Sequence, residues 1–275
     1  MVSLATDVSV PAARLDRLVG ALPTMIQRFR LLSFDPDGVA VFPEGRREGL
    51  RLLAGEHAAV GARYRVELSE DQVATATEDR PGSERTEGPA RARQPPFELE
   101  IVVDDPQTMA VTAESDGMHW RISLDRPAVP GDLTLHISGE LAALPAFIGR
   151  DLTAELTVRL SELALPGYQP QVTGTLRLRR LAASVQARLR PVATHQSVWV
   201  ATKINPMGLL RPATAVWPFV RKRLQAQYEQ TVRAGLVESW NAGATFLDGL
   251  PDSPDEVADL YWAEMSQALD DKDMA

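Results

Sequence analysis

The most constraining feature of this sequence is an alternation of apolar and polar residues that runs, with short interruptions, through residues 97–204. One stretch reads MHWRISLD (residues 118–125), and the residues at its even-numbered positions are all apolar. Successive side chains of a strand point to opposite faces of a sheet, so this pattern predicts strands with one apolar and one polar face. Its repetition predicts a large antiparallel sheet, with one face against a core and the other in water.

Shorter strands are predicted before the alternation begins, at Ser3–Val10, Val39–Phe42 and Gly61–Leu68. Between them and the alternation, Thr77–Pro96 is rich in Pro, Gly and charge and has no apolar period, which predicts a surface loop. Within the alternation the apolar parity changes at Arg180–Leu181, which predicts a bulge or a tight turn there.

Helical spacing of apolar residues appears at both ends of the chain. It predicts a first helix over Leu15–Phe29, with Pro23 as a kink or break. It predicts a long helix from Trp217 to about Gly249, followed by a last helix that starts at the capping sequence Ser253–Glu256.

Composition excludes several classes of function. The chain of 275 residues has no cysteine, which excludes disulfides, thiolate metal sites and a cysteine nucleophile. Its 44% hydrophobic content is enough for a core, but no apolar run approaches the roughly 20 residues of a membrane span. The sequence does not open with a signal-peptide pattern, so we expect a cytoplasmic protein.

Charge is unevenly distributed beneath a net charge of −8. Residues 159–233 hold twelve basic and two acidic residues, whereas residues 248–275 hold nine acidic and one basic. We expect the acidic tail to pack near this basic segment. The strands over 172–190 carry no interleaved aromatic residues, so no nucleic-acid partner is expected. A peripheral membrane or anionic contact stays open, beside the commoner interpretation of a solvated face.

The order strand, helix, many antiparallel strands, long C-terminal helix resembles the helix-grip architecture of the START-like, polyketide cyclase/dehydrase superfamily. Four stretches are similar to that family in local pattern, namely Asp7–Ala12, Val60–Val66, Asp105–Leu124 and Asn205–Val232. The resemblance implies an α+β fold in which a large curved antiparallel sheet packs on the long C-terminal helix. We expect a single domain over residues 1–250, with extra strands at about 141–192, and an acidic C-terminal helix over 251–275.

The resemblance also implies a binding function for a hydrophobic small molecule or lipid, held between the apolar face of the sheet and the long helix. The apolar stripe of that helix is core packing, a pocket wall, or both. The ligand-binding residues expected from this arrangement are Trp120, Trp217, Val220, Leu224, Tyr228 and Trp240. Two alternatives stay open: a cyclase or dehydratase of the same superfamily, and a non-catalytic module that binds a partner protein.

The enzymatic alternative depends on a hairpin between Gly117–Asp125 and Asp132–Leu141, which would place His119, Arg121 and His136 on one face. A histidine there could act as a general base, and Arg121 could stabilise an enolate or carboxylate. The simpler interpretation is that this face meets water. No phosphate loop, zinc-binding helix motif or nucleophile elbow is present, so no metal or cofactor is predicted. The oligomeric state is left open.

Overall fold

The computed structural model describes residues 2–11, 14–67, 96–115, 117–140, 150–164, 171–192, 195–207 and 217–269. The strands are β1 (Val2–Pro11), β2 (Ser33–Phe34), β3 (Val39–Phe42), β4 (Gly45–Ala54), β5 (Arg63–Val66), β6 (Phe97–Asp104), β7 (Thr108–Ser115), β8 (Met118–Asp125), β9 (Asp132–Glu140), β10 (Asp151–Arg159), β11 (Val172–Leu178), β12 (Leu181–Val192) and β13 (His195–Pro206). The helices are α1 (Leu15–Leu31), α2 (Leu160–Ala164), α3 (Trp217–Gly249) and α4 (Pro254–Ala268). The loop predicted over Thr77–Pro96 lies outside the described residues, apart from Pro96.

The strands of the described ranges form one 13-stranded antiparallel sheet. From β2 to β13 each strand pairs with the next along the chain, and β1 pairs with β13 at the far edge. The α+β fold with a large antiparallel sheet is therefore confirmed. Strands β10, β11 and β12 fall within the interval 141–192 where extra strands were expected, and they belong to this same sheet. The change of parity at Arg180–Leu181 is a tight turn between β11 and β12.

The sheet is strongly curved, because its two edge strands are joined by one helix. Twelve inter-strand spacings of about 4.8 Å give a width of about 58 Å along the sheet. Helix α1, which connects edge strand β1 to edge strand β2, has 17 residues and is about 25 Å long. The edges must therefore approach each other, and the sheet bends around the helices.

All the described helices pack on one face of the sheet, which we call the inner face; the opposite face is the outer face. Helix α3 covers β1, β12 and β13, where Val232 and Leu236 pack on Val8 and Val198. Helix α4 covers the other end of the sheet, where Met265 packs against the core of β3 to β6. No described helix is long and apolar enough to cross a bilayer.

Helix α1 runs through Pro23 without ending, so of the two predicted outcomes the break is wrong, and the kink stays a prediction. The flanking turns are held by packing, since Ala21 is fully buried in a cluster with Val257 and Ala258 of α4. That packing holds the helix together where proline removes one backbone hydrogen bond.

The ion pairs of the described part of the acidic tail go to α1, so its expected packing near the basic segment 159–233 stays a prediction. Arg17 and Arg28 of α1 form ion pairs with Asp252 and Asp259. Arg17 also donates to the backbone carbonyl of Leu250, between α3 and α4. The apolar stripe of α4 packs against α1 and the sheet. This packing brings the acidic residues in and just before α4 beside the arginines of α1.

Candidate hydrophobic binding site

Inner-face side chains form continuous rows across the sheet, because the pairing register places residues of neighbouring strands side by side. One row comprises Tyr64, Leu99, Ala113, Trp120, Ile137, Ala154, Leu176, Ala183 and Ile204. The adjacent row comprises Ile101, Val111, Ile122, Leu135, Leu156, Gly174, Val185, Thr202 and Leu4. These two rows form the floor of the candidate site.

Over most of the described strands the inner face carries no charge. On the described strands from β7 to β13 and on β1, no inner-face position holds Asp, Glu, Lys, Arg or His. The polar residues at these positions are Ser115, Gln196, Thr202 and Thr6. Such a surface offers almost no hydrogen bonds to water and favours an apolar occupant.

The described helices cover the two ends of this face but not its middle. The apolar core under α4 extends to Val111, and the core under α3 extends to Val185. Between these limits, Ile122 is 40% exposed and Leu156 is 36% exposed. Ile101, on the same row under α4, is only 2% exposed. The middle strands therefore carry a partly exposed apolar surface, which we call the trough and define by Trp120, Ile122, Leu135, Ile137 and Leu156.

Helix α3 reaches the floor of the candidate site through Tyr228, three strands away from the trough residue Leu156. Its hydroxyl group lies 2.9 Å from Oγ1 of Thr202, and both side chains are half-buried. Thr202 belongs to the same row as Ile122 and Leu156, so this hydroxyl pair stands at the α3 end of the trough floor.

The other expected ligand-binding residues fall in different places. Trp120 is half-buried in the trough. Trp240 packs in the cores that join α3 to β1 and α4, and its Nε1 donates a hydrogen bond of 2.9 Å to the carbonyl of Pro11. Trp217, Val220 and Leu224 belong to α3, but their side chains lie outside the described residues.

The three predicted catalytic residues lie together on the outer face. Strands β8 and β9 form the predicted hairpin, in which Arg121 is directly opposite His136. His119 is 62% exposed at its side chain, and its Nδ1 lies 3.6 Å from the carboxylate of Glu114. Arg121 is exposed and His136 is half-buried beside Glu155 of β10. The sheet separates these side chains from the trough, so their catalytic role stays a prediction.

No cluster of three or more His, Asp or Glu suited to a metal ion occurs in the described ranges.

A polar cluster that sequence reasoning missed lies under the C-terminal end of α1. His57 Nε2 lies 2.8 Å from the carbonyl of Phe29, so in the neutral ring Nε2 carries the proton and Nδ1 accepts from the Tyr64 hydroxyl at 2.9 Å. The Tyr64 oxygen accepts in turn from the Ala58 N–H at 2.8 Å. Burial raises the pKa of Tyr64, and the Ala58 hydrogen bond opposes that rise. Nothing in the local sequence signals this cluster, because its members come from α1, a loop and β5.

No protein-family model matches the chain, and no curated protein matches it. Two solved structures align with most of its length at low structural similarity. One is the di-domain ARO/CYC StfQ from the steffimycin biosynthetic pathway, with 8% identity, a TM-score of 0.24, and 87% of this chain and 98% of that chain covered. The other is DynU16, from the dynemicin biosynthetic locus, with 12% identity, a TM-score of 0.17, and 88% and 96% covered. These are distant resemblances, and the START-like assignment stays a prediction.

Proposed function

We propose that this protein binds a hydrophobic small molecule or lipid in the apolar trough between the middle strands and α3. The observation that carries the proposal is the exposure of Ile122 and Leu156 in the centre of an uncharged inner face. Isolated apolar residues on a surface are ordinary, but these two belong to one apolar row, with Leu135 between them. Covering such surface is favourable by about 25 cal/mol per Å².

The contacts of the α3 side chains reduce the number of residues that we assign to the ligand site. Trp240 is committed to the packing of α3, and its indole N–H is bonded to Pro11. Among the described side chains of α3, Tyr228 contacts the floor of the candidate site, through Thr202. We therefore place the ligand against Trp120, Ile122 and Leu156, with Tyr228 at one end.

We assign no catalytic step to this function. His119 and Arg121 are exposed on the outer face, and a molecule in the trough lies across the sheet from them. General acid–base catalysis requires hydrogen-bond reach to the reacting group, which this placement does not provide.

The test is the binding of Nile red, an uncharged dye that fluoresces in apolar surroundings, to protein stripped of lipid by organic extraction and refolding. We expect saturable binding that is strongly weakened by Ile122→Asn and Leu156→Asn. The matched control is Val129→Asn, since Val129 is 70% exposed in the turn between β8 and β9. Absence of saturable binding, or equal loss in the control variant, would overturn the proposal.

A further inference from the structure

The hydrogen-bonded hydroxyl groups of Tyr228 and Thr202 form a polar site at the α3 end of the apolar floor. Each hydroxyl group has one O–H donor and two acceptor lone pairs. Their mutual hydrogen bond at 2.9 Å uses one donor and one lone pair. Within the described residues neither hydroxyl has a second hydrogen-bond partner, so the pair can still donate once and accept several times.

This pair is connected to the trough by a continuous apolar row. From Thr202 the row passes Val185 and Gly174 to reach Leu156. Three inter-strand spacings of about 4.8 Å separate Thr202 from Leu156, a distance of about 14 Å along the sheet. The buried Gly174 and the half-buried Val185, at the margin of the core under α3, lie on this path. A single elongated molecule that lies on Leu156 must therefore also cover Val185 to reach the hydroxyl pair.

The described strands from β7 to β13 and β1 offer no counter-charge to such a molecule on the inner face. No Lys, Arg or His lies on the inner face of the described strands from β7 to β13 or on β1. A carboxylate or ammonium group buried there would lose its hydration without gaining an ion pair. A hydroxyl or carbonyl group loses far less hydration and can be satisfied by Tyr228 and Thr202.

We propose that the ligand is uncharged and elongated, with a hydroxyl or carbonyl oxygen that hydrogen-bonds to Tyr228 and Thr202 while its apolar body covers Ile122 and Leu156. This inference rests on the proposed function and specifies the ligand class for the same site. Tyr228 and Thr202 are then the residues that determine specificity for the polar end of the ligand.

The experiment is displacement of Nile red by dodecanol, dodecanoate, dodecylammonium and dodecane at about pH 8, where a carboxylic acid is ionised and an alkylamine is protonated. We expect dodecanol to compete at the lowest concentration and the two ions at the highest. Tyr228→Phe should weaken the binding of dodecanol roughly three- to tenfold, as expected for the loss of one hydrogen bond. The binding of dodecane should be unchanged. Thr202→Val, which keeps the side-chain shape, should have a similar effect and serves as a second variant if Tyr228→Phe does not fold.

The matched control is Tyr261→Phe, a half-buried tyrosine on α4 that packs on Phe246. Dodecanoate that competes as well as dodecanol, or dodecanol binding that is unchanged in both variants, would overturn this inference and leave the proposed function standing. If Nile red binds but none of the four compounds displaces it, the proposed ligand class is overturned and the proposed function is not. Failure of Nile red to bind at all would overturn the proposed function, and this inference with it.

Discussion

Ile122 and Leu156 lie on the same row of the inner face, with Leu135 between them, and more than a third of each residue is exposed. Ile101 lies two strands from Ile122 on that row and is almost fully buried under α4. The difference arises from the placement of the described helices, because α3 and α4 pack on opposite ends of the sheet.

The difference in burial between Ile101 and Ile122 predicts that alanine substitutions at the two positions lower the free energy of unfolding of the ligand-free protein by different amounts. Ile101→Ala should lower the free energy of unfolding by about 2–5 kcal/mol, because it leaves a cavity in a packed core. Ile122→Ala should cost roughly 1 kcal/mol, because much of that side chain already meets water. Urea unfolding followed by circular dichroism measures both. Equal losses for the two variants would mean that Ile122 is covered in solution.

The His57–Tyr64 cluster predicts a large effect of one hydroxyl group. Tyr64→Phe leaves the Ala58 N–H and His57 Nδ1 without their partner, which should cost about 1–3 kcal/mol of unfolding free energy. Tyr261→Phe is the control, since its hydroxyl makes no hydrogen bond within the described part of the chain, and it should change stability by less than about 0.5 kcal/mol. Similar values for the two variants would show that the cluster contributes only packing.

Burial of Tyr64 also predicts a loss of stability at high pH. Its pKa is raised in the folded state by burial, so folding favours the protonated phenol. The stabilisation is complete below the ordinary tyrosine pKa of about 10 and declines as the pH rises from there through the folded value. Unfolding free energies measured by urea between about pH 8 and about pH 11 should fall less steeply in Tyr64→Phe than in the wild type. If the unfolding free energies of the wild type and of Tyr64→Phe fall in parallel with pH, Tyr64 is not the source of this pH dependence, whatever the absolute stability of the variant.

Two arginines of α1 predict contrasting effects at the contact with α4. Arg17 is 13% exposed at its side chain and donates to the carbonyl groups of Asp248 and Leu250, so Arg17→Ala should cost about 2–3 kcal/mol. Arg28 pairs with the exposed carboxylate of Asp259, so Arg28→Ala should cost about 0–1 kcal/mol and lose that effect at high salt. Thermal unfolding at low and high ionic strength distinguishes the two. A larger loss for Arg28→Ala would show that the exposed ion pair, and not the buried guanidinium, holds α4 in place.

The sheet was predictable where each strand alternates strictly, as β8 and β9 do, because alternation is a local consequence of strand geometry. Strand β4 was missed because it begins with the charged sequence GRREG and its pairing with β3 shifts register near Ala40. Strand β2 was missed because it contains only two residues. Local pattern carries little information about such strands, whose pairing is decided by the rest of the sheet.

The candidate site was predictable only in part. Trp120 and Tyr228 were identified from their positions on an apolar strand face and an apolar helix stripe. The placement of Trp240 against Pro11, and the gap that leaves Ile122 exposed, depend on where the helices cross the sheet. Those positions are set by long-range packing, which no residue spacing reveals.

The central claim is that the inner face of the middle strands holds an apolar ligand. The most direct test is photo-crosslinking with an uncharged diazirine-bearing alkyl alcohol, followed by mass spectrometry of the labelled peptides. We expect labels on the inner-face residues of β8, β9 and β10, and their loss when excess dodecanol is present. Labels confined to the outer face around His119 and Arg121, or to the exposed surface of α4, would contradict the claim.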